Sequence, residues 1–437
     1  MNRILKFFLA SALLVFSAGT VCAQNTYKVK KNETIYGIAH AHGITEAALR
    51  QANPEMNNPS YVLKKGAKII IPSAQQPPTY QADDITRRTI RMGVMLPLHD
   101  RNGDGRRMVE YYRGLLMACD SLRQEGISVD IYAWNTPDDG DISQVLVTQE
   151  AAQCDIIFGP LYSRQMEQLS EFCQQHGSML VIPFSIRAPQ IATNNHIFQV
   201  YQAPEGLRES TARRMSEWFK DRHFVIVDCE DANSTEGPFT AALRQQLDSK
   251  KMSCSLTSMK TSSALFARAF SQERANLVVL NTSRTSDMSA IFAKLKELRQ
   301  SNPSVRASVF GYTEWMSQVD KYLTDFHRYD VYIPSPFYTG LSPQVYLRLI
   351  GKYRSNFKQD MSSFVPPLAI TGFDHAMYFL RGIHQYGKSF NGAAGLLSHT
   401  PVQTPLKFEH FPEGGYQNRA YMFVHYMSDS KVEAINY

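Results

Sequence analysis

The feature that most constrains the fold is a repeated alternation of short apolar strands with helical stripes that begins at Ile90. The runs "IRMGVML" (90–96), "CDIIF" (154–158) and "MLVIP" (179–183) are short and apolar. Between them lie segments whose apolar residues recur at helical spacing, as in 108–124. Repeated strand-helix units with buried apolar strands predict an α/β fold with a parallel, doubly wound sheet.

The same pattern starts again after Ala203-Pro204. Strands are predicted at 224–228, 277–281 and 307–311, with helical segments before and between them. Two similar α/β halves in a segment of about 350 residues predict two lobes with a cleft between them. Near the C-terminus, alternating apolar and polar residues around Gly414-Gly415 predict a β-hairpin that pairs 406–411 with 420–426.

A change of composition at "PSAQQPPTYQADDITRR" (72–88) separates this large segment from a small one. Prolines, glutamines and small polar residues replace the apolar periodicity there, which predicts an exposed linker. In the small segment, Tyr27 and Val29 alternate with lysines and "KIII" (68–71) is a second strand. Two short helical patterns lie between them, so the predicted order is strand, helix, helix, strand.

The small segment resembles the LysM family through "YKVKKNETIYGIAHAHGIT", "ANP" (52–54) and the closing "KIIIP". The resemblance implies a βααβ module that binds N-acetylglucosamine-containing glycans such as peptidoglycan. It also implies a shallow groove between two loops, whose expected glycan-binding residues are Asn32, Glu33, Thr34, Ile35, Asn53 and Pro54.

The large segment resembles the type I periplasmic binding fold of branched-chain amino-acid binding proteins and receptor ligand-binding domains. The matching stretches are "GVMLPLHD", "DIIFGPLYSRQMEQLSEFCQQHGSMLVIPFS" and "VFGYTEW". In that family the chain crosses three times between the lobes. The resemblance therefore places the first lobe at about 90–202 and 337–400, and the second at about 203–336 and 401–437. The expected division is a signal peptide at 1–23, LysM at 24–73, a linker at 74–88 and the binding-protein fold at 89–437.

Candidate cleft residues follow from the position of the strand ends. In open α/β sheets, ligands bind outside the carboxyl ends of the strands. This rule, together with the resemblance, selects His99, Asp100, Tyr162, Ser163, Phe184, Ser185 and Glu314. The resemblance implies that the loops after 158 and 182 hold a ligand carboxylate and that Glu314 stands near its ammonium group. Helix capping is the alternative role for Ser163 and Ser185.

The stretch "DRNGDG" (100–105) looks like the first half of a calcium loop. Such a loop ends with a bidentate glutamate at its twelfth position, which here is Tyr111, with Glu110 one place short. We therefore predict no metal site. The loop is expected to be either a rim of the cleft or a solvated turn rich in Gly, Asn and Asp.

The first residues predict export. A basic start with Arg3 and Lys6, an apolar run and small residues before Gln24 are typical of a signal peptide cut after Ala23. Cleavage would lower the formal charge from +6 to +4, too little to favour nucleic acid. The alternative is lipidation at Cys22, although Val21 stands where a small residue is expected. No later run is apolar enough for a transmembrane segment, and five cysteines without CxxC spacing predict no disulfide framework.

The sequence contains none of the short motifs GxSxG, GxxxxGK[ST] or HExxH. Asp228, Glu230 and Asp231 are close in sequence, but a strand-end loop explains them equally well. We therefore expect no enzymatic activity and no cofactor.

Two functional hypotheses remain open. One is a protein resembling ABC-transporter substrate-binding proteins, held to peptidoglycan by LysM, that binds an amino acid, a peptide or a cell-wall fragment. The other is an envelope interaction protein that regulates peptidoglycan synthesis without a small ligand. The second rests on analogy with lipoprotein activators of peptidoglycan synthases that use the type I fold.

Overall fold

The computed structural model describes residues 25–31, 33–42, 49–50, 52–58, 61–71, 84–184, 187–202, 204–392 and 400–436. The chain divides into two compact units, Met1–Asp83 and Asp84–Tyr437. Each unit has its own hydrophobic core.

The small unit is built on two antiparallel strands, β1 (Asn25–Lys28) and β2 (Lys68–Ile71). Helix α1 (Ile35–Ala41) and a 3-10 turn (Pro54–Asn57) lie between them in sequence. Their apolar side chains form one core, which includes Ile38, Leu49, Met56 and Ile69. Residues 43–48, where the second predicted helix begins, lie outside the described residues.

The first lobe of the large unit contains a seven-stranded sheet with the order β13-β14-β7-β6-β5-β3-β4. All neighbouring strands are parallel except β13 and β14. The strands are β3 (Ile90–Leu96), β4 (Val129–Asn135), β5 (Ile156–Phe158), β6 (Met179–Ile182), β7 (Ile197–Gln199), β13 (Phe408–His410) and β14 (Tyr416–Asn418).

The second lobe contains another seven-stranded sheet with the order β16-β15-β12-β11-β10-β8-β9. Its strands from β8 to β12 pair in parallel, and β15 and β16 add antiparallel at one side. The strands are β8 (His223–Asp228), β9 (Cys254–Ser258), β10 (Asn276–Leu280), β11 (Ala307–Phe310), β12 (Val331–Ser335), β15 (Met422–Tyr426) and β16 (Val432–Asn436).

Helices connect the parallel strands, as the strand-helix repeat predicts. In chain order after α1 they are α2 (Gly103–Gln124), α3 (Ser143–Leu146), α4 (Gln149–Ala152), α5 (Met166–His176), α6 (Pro204–Trp218), α7 (Gly237–Ser249), α8 (Ser263–Ala267), α9 (Thr285–Ser301), α10 (Val319–Arg328), α11 (Pro343–Phe357) and α12 (Leu368–Tyr386). The predicted fold class, two doubly wound lobes after a small two-stranded module, is confirmed.

A hairpin forms around Gly414-Gly415, but its predicted second strand, 420–426, is wrong. Strand β13 pairs with β14, whereas 422–426 forms β15 in the other sheet. Asn418 explains the change of sheet, because its Oδ1 accepts hydrogen bonds from the amides of Lys407 (3.0 Å) and Ala420 (3.0 Å). The chain therefore passes to the second sheet between Asn418 and Met422, not at residue 401 as the predicted lobe boundary has it.

The large unit also begins before the end of the predicted linker. Residues Ile85–Arg87 form a 3-10 turn that Asp84 caps by accepting from the Thr86 amide. Ile85 is buried in the core of the first lobe, so residues 84–88 belong to the folded unit. Within the described ranges, no helix combines the length and apolar character needed to cross a bilayer.

Candidate functional sites

The expected glycan groove of the small unit contains two side chains that are engaged in internal hydrogen bonds. Glu33 accepts hydrogen bonds from the Tyr27 hydroxyl (2.7 Å) and the Lys30 amide (2.6 Å), and the second of these is the main cause that lowers its pKa. Asn53 is buried; its amide nitrogen donates to the carbonyls of Leu49 and Ile70, and its oxygen accepts from the Ile70 amide. Both side chains hold the module together.

The remaining groove candidates differ in exposure. Thr34 and Pro54 are exposed, and Ile35 packs partly against the core of the small unit. Asn32 lies outside the described residues. Thr34 and Pro54, together with backbone groups, therefore form the accessible part of the expected groove.

The main cavity of the large unit is a cleft of about 610 Å³ between the two lobes. Its walls are mostly apolar. Met108, Leu161 and Phe184 belong to the first lobe, and Phe239 and Phe310 to the second.

The charged residues of the cleft are Asp104, Arg107, Arg208, Glu236 and Glu314. The most buried of them, Glu236, is paired with Arg208 by hydrogen bonds of 2.9 Å (Nη2 to Oε1) and 3.3 Å (Nε to Oε2). Arg107 and Glu314 are exposed, and the guanidinium of Arg107 lies 5.6 Å from the centre of the Phe364 ring. Among the described residues, Arg208–Glu236 is thus the one ion pair formed by the charged residues of the cleft.

One buried histidine also lines the cleft. His375 lies in α12 and is 1% exposed. The Tyr111 hydroxyl is 2.9 Å from its Nδ1, and the two rings meet edge to face with centroids 5.6 Å apart. Its Nε2 is buried and has no hydrogen-bond partner among the described residues. Burial lowers the pKa of His375 to about 3, so the imidazole is neutral near pH 7.

Asp374, the residue before His375, holds residues 402–404 beside helix α12. Its carboxylate accepts hydrogen bonds of 2.8 Å from the amides of Val402, Gln403 and Thr404. Burial raises the pKa of Asp374 to about 7, and the three amide donors act in the opposite direction. Thr404 lines the cleft, and its Oγ1 is another buried polar atom without a partner in the described part of the chain.

Of the cleft residues expected from sequence, Phe184 and Glu314 line the cavity. Ser185 lies outside the described residues. His99, Asp100, Tyr162 and Ser163 do not line it, although the Tyr162 hydroxyl is 3.4 Å from Oδ2 of the lining residue Asp104.

The loop "DRNGDG" explains why His99 and Asp100 are displaced from the cleft. Asn102 caps α2 by accepting a 2.8 Å hydrogen bond from the Gly105 amide, so Gly103, Asp104 and Gly105 already form the first helical turn. Helix α2 thus begins five residues before the predicted start at Met108. Asp104 is brought to the cleft while Asp100 remains exposed.

Among the described residues, metal-ligating side chains do not gather into a binding cluster. No three His, Cys, Asp or Glu side chains come together there in an arrangement that could hold an ion. The five described cysteines are free, and burial raises the pKa of each thiol above its ordinary value.

Comparison with known proteins identifies the two units separately. Residues 27–72 match the LysM domain family, so the small unit is a LysM domain. No curated protein sequence matches the chain.

The large unit shares its fold with solved structures of low sequence identity. A candidate branched-chain amino acid ABC transporter protein from Rhodospirillum rubrum is similar at 14% identity, with a TM-score of 0.53, over 80% of this chain and 100% of that one. Full-length LpoA from Haemophilus influenzae is similar at 14% identity, with a TM-score of 0.51, over 80% of this chain and 59% of LpoA. The fold is therefore that of type I periplasmic binding proteins, in agreement with the sequence-based resemblance.

Proposed function

We propose that this is an exported, non-enzymatic binding protein of the cell envelope, which binds peptidoglycan through its LysM domain and a small solute in the cleft between its lobes. The observation that carries the proposal is the cleft of about 610 Å³, lined by side chains from both lobes. Cavities of several hundred cubic ångströms with apolar walls and a few polar groups are typical of small-molecule sites. The LysM family and the predicted signal peptide support the envelope location.

The glycan part of the proposal rests on the LysM match and the exposed groove residues. We expect the full chain to sediment with insoluble peptidoglycan and the variant Thr34→Glu to sediment less, because a carboxylate in the groove would meet the glycan. The matched control is Val62→Glu, which adds the same charge at an exposed position of the same domain. Equal sedimentation of both variants would argue against this groove.

The solute part can be tested by thermal unfolding of the full chain with amino acids, short peptides, muropeptides and sugars. A ligand at 100 times its Kd stabilises a protein by about 2.7 kcal/mol, a rise of a few degrees for a chain of this size. Leu161→Trp, which places a larger side chain in the cleft, should abolish the rise. Val147→Trp should leave it intact, because Val147 is 84% exposed and does not line the cleft.

A second candidate function is an envelope interaction protein without a small ligand. It is favoured by the shared fold with LpoA and by the Arg208–Glu236 pair, which occupies charges that an amino-acid ligand would otherwise meet. In that case no solute class shifts the unfolding transition of the full chain. The Leu161→Trp variant would then behave like Val147→Trp in every condition.

A further inference from the structure

The chemistry of the cleft narrows the class of solute. Among its charged lining residues, Glu236 is neutralised by Arg208, Asp104 is half-buried, and Arg107 and Glu314 are exposed. None of these residues offers a ligand carboxylate or ammonium group a fully buried, unpaired counter-charge to replace the hydration lost in the cleft. Burying an unpaired charge costs far more than burying a hydrogen-bonded neutral group. The interior therefore disfavours a charged head group.

The apolar walls favour a ligand with an apolar body. Phe184 packs edge to face against Tyr111, with ring centroids 5.0 Å apart, so this part of the first-lobe wall is backed by a second ring. Phe239 and Phe310 lie opposite as a stacked pair 6.0 Å apart. Contact with such surfaces stabilises a bound molecule in proportion to the apolar area it buries.

His375 supplies a neutral polar group in this setting. Its Nδ1 is occupied by Tyr111, while the opposite nitrogen, Nε2, has no partner in the part of the chain that the structure describes. A buried polar atom without a hydrogen bond destabilises the protein, and a ligand that satisfies it recovers that free energy. In a neutral imidazole one ring nitrogen donates and the other accepts, so a group able to do both, such as an amide, suits either tautomer.

We infer that the cleft binds a ligand with an apolar body and one uncharged hydrogen-bonding group, which pairs with Nε2 of His375. Thr404 also lines the cleft and adds a second buried polar atom without a partner among the described residues. This inference rests on the proposed solute-binding function and specifies its ligand class. It differs from recognition of a free amino acid, which requires partners for a carboxylate and an ammonium group.

The test compares three probes with the same eight-carbon body: octanamide, octanoate and octylammonium. Each is titrated into the full chain at pH 7.5 and followed by calorimetry. We expect octanamide to bind at least tenfold more tightly than the two charged probes. Tighter binding of octanoate or octylammonium would overturn the inference and leave solute binding in place. If none of the three binds, the inference is wrong. The proposed solute binding is then tested separately by thermal unfolding of the full chain and of Leu161→Trp with the solute library.

Two variants connect the preference to His375. His375→Leu should weaken octanamide about tenfold, the usual effect of losing one hydrogen bond to a buried group, and leave the weak binding of octanoate unchanged. His375→Gln retains a donor and an acceptor and should restore much of the affinity. If His375→Leu does not fold, Thr404→Val, a substitution of similar shape, should still reduce octanamide affinity. Unchanged affinity in all variants would contradict the role of this polar pair.

Discussion

At the scale of single residues, the proposed ligand preference depends on His375, a histidine in the cleft wall that burial keeps neutral near pH 7. Its neighbour Asp374 is also buried, but its carboxylate is satisfied by hydrogen bonds from three backbone amides. The pair links helix α12 to residues 402–404 on one side and to the cleft on the other. Changes at these two positions should therefore affect stability and binding together.

The pKa of His375 gives a prediction about stability and pH. The unfolded chain takes up a proton on this residue as the pH falls through about 6.5, whereas the folded chain does so only near pH 3. Between these values the unfolded state binds more protons, so this residue lowers the free energy of unfolding as the pH falls, by up to about 1.4 kcal/mol per pH unit. Above pH 6.5 its stabilising contribution is fully present.

The measurement compares urea unfolding of the unmodified chain and His375→Gln at pH 7.5 and pH 5.0. Other titrating groups largely cancel in the difference between the two proteins. We expect the unmodified chain to lose more stability than the variant on going to pH 5.0. An equal loss in both proteins would show that His375 does not remain neutral in the folded state.

At the scale of secondary-structure elements, the contact between α2 and α12 determines the shape of the first lobe. The two helices cross with their backbones in near contact: a Cβ atom added at Gly114 would lie 2.0 Å from the Ala369 carbonyl oxygen, and one at Gly372 would lie 2.1 Å from that of Tyr111. This close crossing also brings Tyr111 of α2 to His375 of α12. The glycines therefore position the polar group of the cleft as well as the core.

Gly372→Ala tests this contact. The added methyl group collides with backbone atoms that cannot move independently, so we expect a loss of about 1–3 kcal/mol or failure to fold. Gly351→Ala is the control, because it lies in the interior of α11 with nothing within 4 Å of its added Cβ. There the higher helix propensity of alanine should stabilise by up to about 1 kcal/mol. Equal effects of the two substitutions on the urea midpoint would contradict the close crossing.

The elements also show which parts of the fold the sequence can predict. The strands Ile90–Leu96 and His223–Asp228 are apolar runs followed by helical stripes, and local pattern is sufficient to find them. The helix Leu368–Tyr386 was not identified, because it is buried on nearly all sides and shows no polar stripe. The edge strand Cys254–Ser258 is mostly polar, and none of its residues is fully buried. The hairpin was misassigned because its pairing depends on Asn418, a tertiary contact that no local pattern records.

Local sequence patterns also predict only some of the residues that line the cleft. Phe184 and Glu314 follow strand ends, and the topology of an α/β sheet is sufficient to place them at the cleft. His375 and Thr404 were missed because His375 lies in an unidentified helix and Thr404 lies in the loop before β13. His99 and Asp100 do not line the cavity, and they precede a helix that Asn102 starts earlier than its apolar stripe indicates.

At the scale of the whole molecule, the chain joins a LysM domain to a two-lobed unit with an internal cleft. In this account the first unit holds the protein at the cell wall and the second carries a small solute. The two activities belong to separately folded units, so a substitution in one is expected to leave the other unchanged. Solute binding in the cleft can therefore be tested without disturbing the glycan site.

The most direct measurement is native mass spectrometry of the full chain purified under non-denaturing conditions, beside Leu161→Trp and Val147→Trp. We expect a bound species of a few hundred daltons on the unmodified chain and on Val147→Trp, because a cavity of this volume admits a molecule of that size. Leu161→Trp should carry none. If all three proteins have the bare mass of the chain and no solute class shifts their unfolding, the claim that the cleft holds a small molecule is contradicted.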